Sequence, residues 1–243
     1  MSGIVTKDLT KRYGSLTAVD GLNLEIREGE LFALLGVNGA GKTTTIKMLS
    51  CLTRPTSGDA MVLGRSVVTE PDRVKELLGI SPQETAVAPN LTVRENLELM
   101  CGLYGHGRAE SRQKATDMMN SFSLTEVERS RAKTLSGGYQ RRLSIAMALI
   151  TEPRVLFLDE PTLGLDVLAR RELWRVIEKL KGNITIILTT HYLEEAEALS
   201  DRIGIMAKGR LTAVGTAREL ETLAGKDSFE DAFVALCEGR DGK

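Results

Sequence analysis

The sequence predicts an α/β fold: a mostly parallel sheet wound with helices, an antiparallel β-region near the N-terminus and an inserted helical lobe. Three observations carry this reading. Leu22, Leu24 and Ile26 alternate with Asn23, Glu25 and Arg27, the period-2 pattern of a strand with one buried face. The continuous apolar runs Leu31 to Leu35 and Val155 to Leu158 suit strands buried on both faces, as a parallel sheet requires. Between these runs, from about Leu91 to Ile150, apolar residues recur at helical spacing instead.

Taken in order, the run Leu31 to Leu35 feeds a glycine-rich turn and then a helix with Ile46, Leu49 and Leu52 along one side. Three amphipathic helices follow, carrying Leu97, Cys101 and Tyr104, then Ala115, Met118, Met119 and Phe122, then Leu143, Ala146, Met147 and Ile150. Their methionine and aromatic stripes read as core packing. Strands return at Val155 to Leu158, Ile184 to Leu188 and Ile203 to Met206, with a helix bearing Leu173, Trp174, Ile177 and Leu180 between the first two. Such alternation implies right-handed crossovers and a sheet covered on both faces. The expected organisation is one domain: a core of 1–83 and 153–225, a helical lobe of 84–152, and a short C-terminal helix and tail, 226–243. In that last segment Phe229, Phe233 and Leu236 form an apolar stripe that reads as packing onto the same domain.

Composition narrows the function. A chain of 243 residues, 42% hydrophobic, can bury a core of useful size. A formal net charge of -1 and an aromatic content of 4% argue against nucleic acid as a partner, which needs a basic surface or a stacking platform. Cys51, Cys101 and Cys237 have neither metal-ligand nor disulfide-framework spacing, and read as buried free thiols of a reducing compartment. The longest apolar runs fall far below the roughly 20 residues of a bilayer helix. The opening MSGIVTKDLTKRYG lacks the apolar stretch of a leader. The expected location is therefore cytoplasmic, or peripheral on the cytosolic face of a membrane through a partner.

The strongest motif is Gly36-Val37-Asn38-Gly39-Ala40-Gly41-Lys42-Thr43-Thr44, which fits G-x-x-x-x-G-K-[ST] between an apolar strand and a helix. Gly36, Gly39 and Gly41 let the backbone wrap closely, so that N–H groups, that of Asn38 among them, point at phosphate oxygens. The helix that follows adds its positive end. Lys42 can reach the terminal phosphates, and Thr43, beside Thr44, can offer a hydroxyl to Mg²⁺. The second motif is the strand end Val155-Leu156-Phe157-Leu158-Asp159-Glu160. It puts Asp159 at the carboxyl edge of the sheet as a magnesium partner and leaves Glu160 to orient or deprotonate water. Alone, a buried strand ending in two acids is commonplace. Beside a phosphate loop it reads as a hydrolytic site.

A third motif, Leu135-Ser136-Gly137-Gly138-Tyr139-Gln140-Arg141-Arg142, resembles the LSGGQ signature of the ABC ATPases, with Tyr139 where glutamine is usual. A serine, two glycines and a helix N-terminus make another anion-binding surface. The resemblance implies that Ser136, Gly137 and Gly138 face the γ-phosphate of ATP held by a second subunit. It further implies that Tyr13, in KRYG, stacks on adenine, and that Gln83, in GISPQET, contacts magnesium. Gly164-Leu165-Asp166 would cross between subunits, and His191, closing ITIILTTH, would read the γ-phosphate. A lone Tyr13 or His191 would read as structural; the full set in chain order carries the likeness, from Tyr13 to the tail.

The resemblance therefore implies a P-loop NTPase core using ATP and Mg²⁺. Two copies would close as a homodimer over two nucleotides and drive a separate integral membrane subunit. The segments LTVRENLELMCGLYG, HYLEEAEALSDRIGIMAKGRLTAVGT and KDSFEDAFVALCEG are similar to ATP-binding subunits of bacterial drug exporters. The alternatives are an importer ATPase subunit and a non-transport ABC ATPase acting on DNA, ribosomes or iron–sulfur assembly.

Overall fold

A computed structural model describes residues 2–238; Gly239 and the rest of the expected tail lie outside the described residues. The chain forms two compact units, one built from the chain up to Leu78 and from Lys181 onward, the other Gly79–Leu180.

The first unit opens with strands β1 (Ser2–Tyr13) and β2 (Leu16–Arg27), followed by β3 (Leu31–Leu35), helix α1 (Lys42–Leu49), β4 (Ser57–Val62), β5 (Arg65–Ser66) and α2 (Pro71–Lys75). An antiparallel sheet of order β2-β1-β4-β5 forms the expected N-terminal β-region. Leu22, Leu24 and Ile26 are buried and Asn23, Glu25 and Arg27 exposed, as the alternation requires. All of β3 is buried.

The chain leaves this unit through β6 (Leu78–Ser81), and the second unit continues with α3 (Val93–Leu103), α4 (Arg108–Ser121), α5 (Gly137–Leu149), β7 (Val155–Asp159) and α6 (Val167–Glu178). Leu97 and Cys101, Ala115 and Met119, and Leu143 and Ala146 are the buried faces of α3, α4 and α5. A reciprocal cap between Thr92 and Glu95 starts α3. The buried Asn96 amide holds the preceding loop, accepting from Ala88 N–H at 2.7 Å and donating to the Thr92 carbonyl at 2.9 Å. At Gly79 a Cβ would fall 2.3 Å from the Ala148 carbonyl oxygen, so β6 and α5 pack too closely for a side chain.

Back in the first unit, β8 (Thr185–Thr190), α7 (Leu193–Leu199), β9 (Arg202–Ala207), β10 (Arg210–Gly215), α8 (Ala217–Ala224) and α9 (Phe229–Glu238) complete the chain. Here β3 lies between β8 and β9 and runs parallel to both, and β10 closes the edge antiparallel to β9. The C-terminal α9 buries Phe229 and Ala232 and packs on α8, β9 and β10; Phe233 and Leu236 are half-buried.

Five expected helix positions lie past a helix end; two of them, Phe122 and Ile150, are the C-caps of α4 and α5 and stay buried. Leu52 lies beyond α1 and is 63% exposed, because Cys51 adopts a left-handed φ of 57° and turns the chain out of the helix. Tyr104 is the exposed C-cap of α3, and Leu180 follows the end of α6. Only Cys101 of the three thiols is fully buried; Cys51 and Cys237 are half-buried. Desolvation still raises the pKa of all three, which favours the protonated thiol.

Candidate nucleotide site

The first unit supplies the phosphate loop. The buried β3 ends at Leu35, the loop runs to Gly41, and α1 begins at Lys42. Gly39 and Gly41 have φ of 82° and 104°, the left-handed side that glycine alone adopts freely. A Cβ on Gly36 would fall 2.4 Å from the Met206 carbonyl oxygen, and one on Gly41 would fall 2.5 Å from that of Ala18. The loop is thus seated against β2 and β9, with no room for a side chain at Gly36 or Gly41. Gly209 joins the same support, donating to the Ala40 carbonyl at 3.1 Å.

Lys42 is 5% exposed, and its ammonium donates to the Gly36 carbonyl at 2.6 Å and the Val37 carbonyl at 3.3 Å. Its charge therefore stands inside the loop. Thr43 and Thr44 are half-buried in the first turn of α1. The parallel register pairs Leu35 with Thr190, and Gly36 N–H approaches the Thr190 carbonyl at 3.4 Å. His191 follows directly, so the loop and the histidine leave neighbouring strand ends. The His191 ring lies 4.2 Å from that of Tyr192. Tyr13 ends β1 with its ring 47% exposed, a flat face open to a ligand, and the Lys11 ammonium is 5.1 Å from its centroid.

The second unit supplies carboxylates and signature. Asp159 and Glu160 are 5% and 7% exposed at the end of β7. Glu160 has φ of 49°, a left-handed conformation that costs a non-glycine residue on the order of 1–3 kcal/mol. Strain of this kind persists where surrounding contacts over-determine the backbone. Gln83 is exposed just after β6. Ser136 is the N-cap residue of α5, but its exposed hydroxyl does not cap the helix. A Cβ on Gly137 would make ordinary contact with the Leu165 side chain at 3.9 Å, whereas one on Gly138 would meet the Ala169 methyl at 3.1 Å. Asp166 caps α6, accepting from Leu168 and Ala169 N–H at 2.9 Å each.

Each predicted site residue thus falls in one of two groups. The phosphate loop, His191 and Tyr13 belong to the first unit; Gln83, Ser136 to Gly138, Asp159 and Glu160 belong to the second. Sequence reasoning passed over Arg141, whose side chain is buried among backbone carbonyls of the second group. The available signal was its spacing: with Ser144, Ile145 and Ala148 it lies on the buried face of α5.

Residues 19–163 match the family described as ABC transporter. The chain belongs to the ABC transporter family. It is 42% identical over 225 residues to the daunorubicin/doxorubicin resistance ATP-binding protein DrrA of Streptomyces peucetius, covering 92% of this chain and 68% of that one. The probable multidrug ABC transporter ATP-binding protein YbhF of Escherichia coli is 40% identical over 240 residues, which are 96% of this chain and 41% of that one. Among solved structures, an ATP-binding subunit of an ABC transporter superposes with a TM-score of 0.85 at 30% identity, covering 96% of this chain and 98% of that one. The dimeric bacterial ABC transporter cassette MJ0796 does so with 0.80 at 27% identity, covering 88% and 98%. The same cassette is known in a post-hydrolysis state bound to ADP and Pi. This chain is thus an ATP-binding ABC subunit with the P-loop NTPase fold, and an ATPase.

Tyr139 can now be placed. Its hydroxyl donates to the Glu126 carboxylate, and its ring packs 4.3 Å from the Arg142 guanidinium carbon. The side chain also walls a pocket of about 560 Å³ with Arg175, Lys179 and Glu172. Its contacts run to its own lobe, apart from Ser136. Tyr139→Gln is expected to keep ATPase activity within roughly tenfold, about 1.4 kcal/mol in the barrier. Activity as low as that of Ser136→Arg in the same steady-state assay would mean that the signature is built around the tyrosine.

Proposed function

We propose that this chain powers an exporter by closing, as a homodimer, over two ATP molecules. The phosphate loop of one copy, with Lys42, Thr43 and Thr44, holds the nucleotide, and Tyr13 stacks on the adenine. Ser136, Gly137 and Gly138 of the other copy cover the γ-phosphate. Glu160 takes the proton of the attacking water, and His191 senses the terminal phosphate. The observation that carries this reading is the phosphate loop itself. A Cβ on Gly36 or Gly41 would strike backbone, Gly39 takes a left-handed φ, and the lysine charge is already held within the loop.

The oxygens of Thr43, Gln83 and Asp159 suit a hard divalent cation, and Mg²⁺ usually takes only one or two protein groups beside phosphate oxygens. Once bound, it would neutralise charge developing on the phosphates.

The membrane partner and the direction of transport rest on the relatives, whose names speak of daunorubicin/doxorubicin resistance and of a multidrug ABC transporter. With Gln83 as its nucleotide end, the stretch from Gln83 to Arg94 is the proposed contact with an integral membrane subunit. The exposed Leu99, Leu103 and Tyr104 on α3 supply apolar surface nearby. Among the described residues, no helix is long and apolar enough to cross a membrane, which suits a peripheral place on the cytosolic face. The test is affinity purification from detergent-solubilised membranes of the native host. Co-purification of one integral membrane protein, weakened by charge reversal at Arg94, is expected. Recovery with ribosomes or DNA instead would overturn the transport reading.

A further inference from the structure

Arg141 lies in the first turns of the signature helix, yet the nucleotide reading gives it no part. Its side chain is 4% exposed. The guanidinium donates through Nε to the Pro161 carbonyl at 2.7 Å, and through Nη2 to the carbonyls of Asp159 and Glu160 at 2.6 and 2.7 Å. Through Nη1 it donates to the carbonyls of Pro82 and Gln83, the latter at 3.3 Å. These acceptors are main chain, from the end of β7 and the turn after it and from the turn after β6. A planar fork of five N–H donors satisfies such a set; a lysine ammonium, with three donors at one point, does not.

We propose that Arg141 is a positioning residue for ATP hydrolysis, acting through Glu160. Rotation of the peptide after Glu160 out of its left-handed turn would carry that carbonyl away from the guanidinium. The charge-assisted bonds to residues 159, 160 and 161 therefore hold the backbone that aims the Glu160 carboxylate. The bonds to residues 82 and 83 hold the start of the Gln83 segment in the same plane. The inference rests on the reading of Glu160 as the base. In that reading α5 serves twice, presenting Ser136 at its tip and, through Arg141, fixing the hydrolytic turn of its own unit.

The test is a double-mutant cycle of wild type, Arg141→Lys, Glu160→Gln and the double variant. Single-turnover ATP hydrolysis is measured with protein in excess, and affinity by titration with a fluorescent ATP analogue. Arg141→Lys is expected to slow hydrolysis about a hundredfold, the effect of misplacing a reacting group by about 1 Å. Affinity should stay within about threefold, because the phosphate loop belongs to the other unit. In the Glu160→Gln background the same change should cost less than about twofold, since the group it positions is gone. A general structural defect would slow both backgrounds by the same factor and overturn the proposal, as would an Arg141→Lys protein of wild-type rate. If Glu160→Gln hydrolyses like wild type, the reading of Glu160 fails first, and is seen to fail independently of Arg141. Far-UV circular dichroism checks each fold. Should Arg141→Lys not fold, Arg141→Gln replaces it, and failure of both makes Arg141 structural and ends the proposal.

Discussion

Lys42→Ala is expected to abolish ATP hydrolysis and to weaken nucleotide binding by about ten- to a hundredfold. The affinity figure follows from one lost charge-assisted contact, on the order of 1.5–3 kcal/mol. Two features make the loss large. The ammonium is preorganised inside the loop, on the carbonyls of Gly36 and Val37, so an arriving phosphate meets a charge already largely stripped of water. Alanine also removes the donor that draws those two carbonyls together, which loosens the cradle as well as neutralising it. The loss in rate should exceed the loss in affinity, because negative charge on the γ-phosphoryl oxygens matters most in the transition state. Phosphate-release kinetics and titration with a fluorescent ATP analogue measure the two effects separately, with circular dichroism to show an unchanged fold. A Lys42→Ala protein that hydrolyses ATP at the wild-type rate would sink the assignment.

What the sequence revealed of this site depended on whether side chains or backbone carry it. A sheet with one wet face appears in the sequence as alternation, hence Leu22 to Ile26. A loop where Cβ atoms would strike the Met206 and Ala18 carbonyls appears as glycine, hence Gly36 and Gly41. Main-chain acceptors leave no such trace. The carbonyls that hold Lys42 and Arg141 could be those of any residue, and only the folded chain brings them near. The end of α1 was hidden for a similar reason, since its left-handed turn falls on Cys51 rather than on glycine or asparagine. The Tyr139–Glu126 contact joins α5 to the turn before it, a pairing that no local spacing announces. The division of the chain at Leu78 and Lys181 is likewise set by long-range contacts, which group β7 and α6 with the helices.

Glu160→Gln should convert ATP into an adhesive between two copies of this chain. The amide keeps the shape of the carboxylate but cannot accept the proton of the attacking water, so the nucleotide is bound and not consumed. In the proposed dimer the phosphate loop and the signature turn both bind anions, and one γ-phosphate lies between a loop from one copy and a signature from the other. ADP lacks the phosphate that both must grip. The variant is therefore expected to be monomeric alone or with ADP and dimeric with ATP, read by size-exclusion chromatography with light scattering over a range of protein concentrations. Adding Ser136→Arg should return it to monomer even with ATP, because the exposed Ser136 at the tip of α5 is where a bulky side chain would fill the space meant for the partner's phosphate. Retained ATP binding by the doubly substituted monomer would separate loss of the interface from loss of the phosphate loop. A Glu160→Gln protein that binds ATP tightly yet stays monomeric at every concentration, or dimerises equally well with ADP, would rule out the shared site.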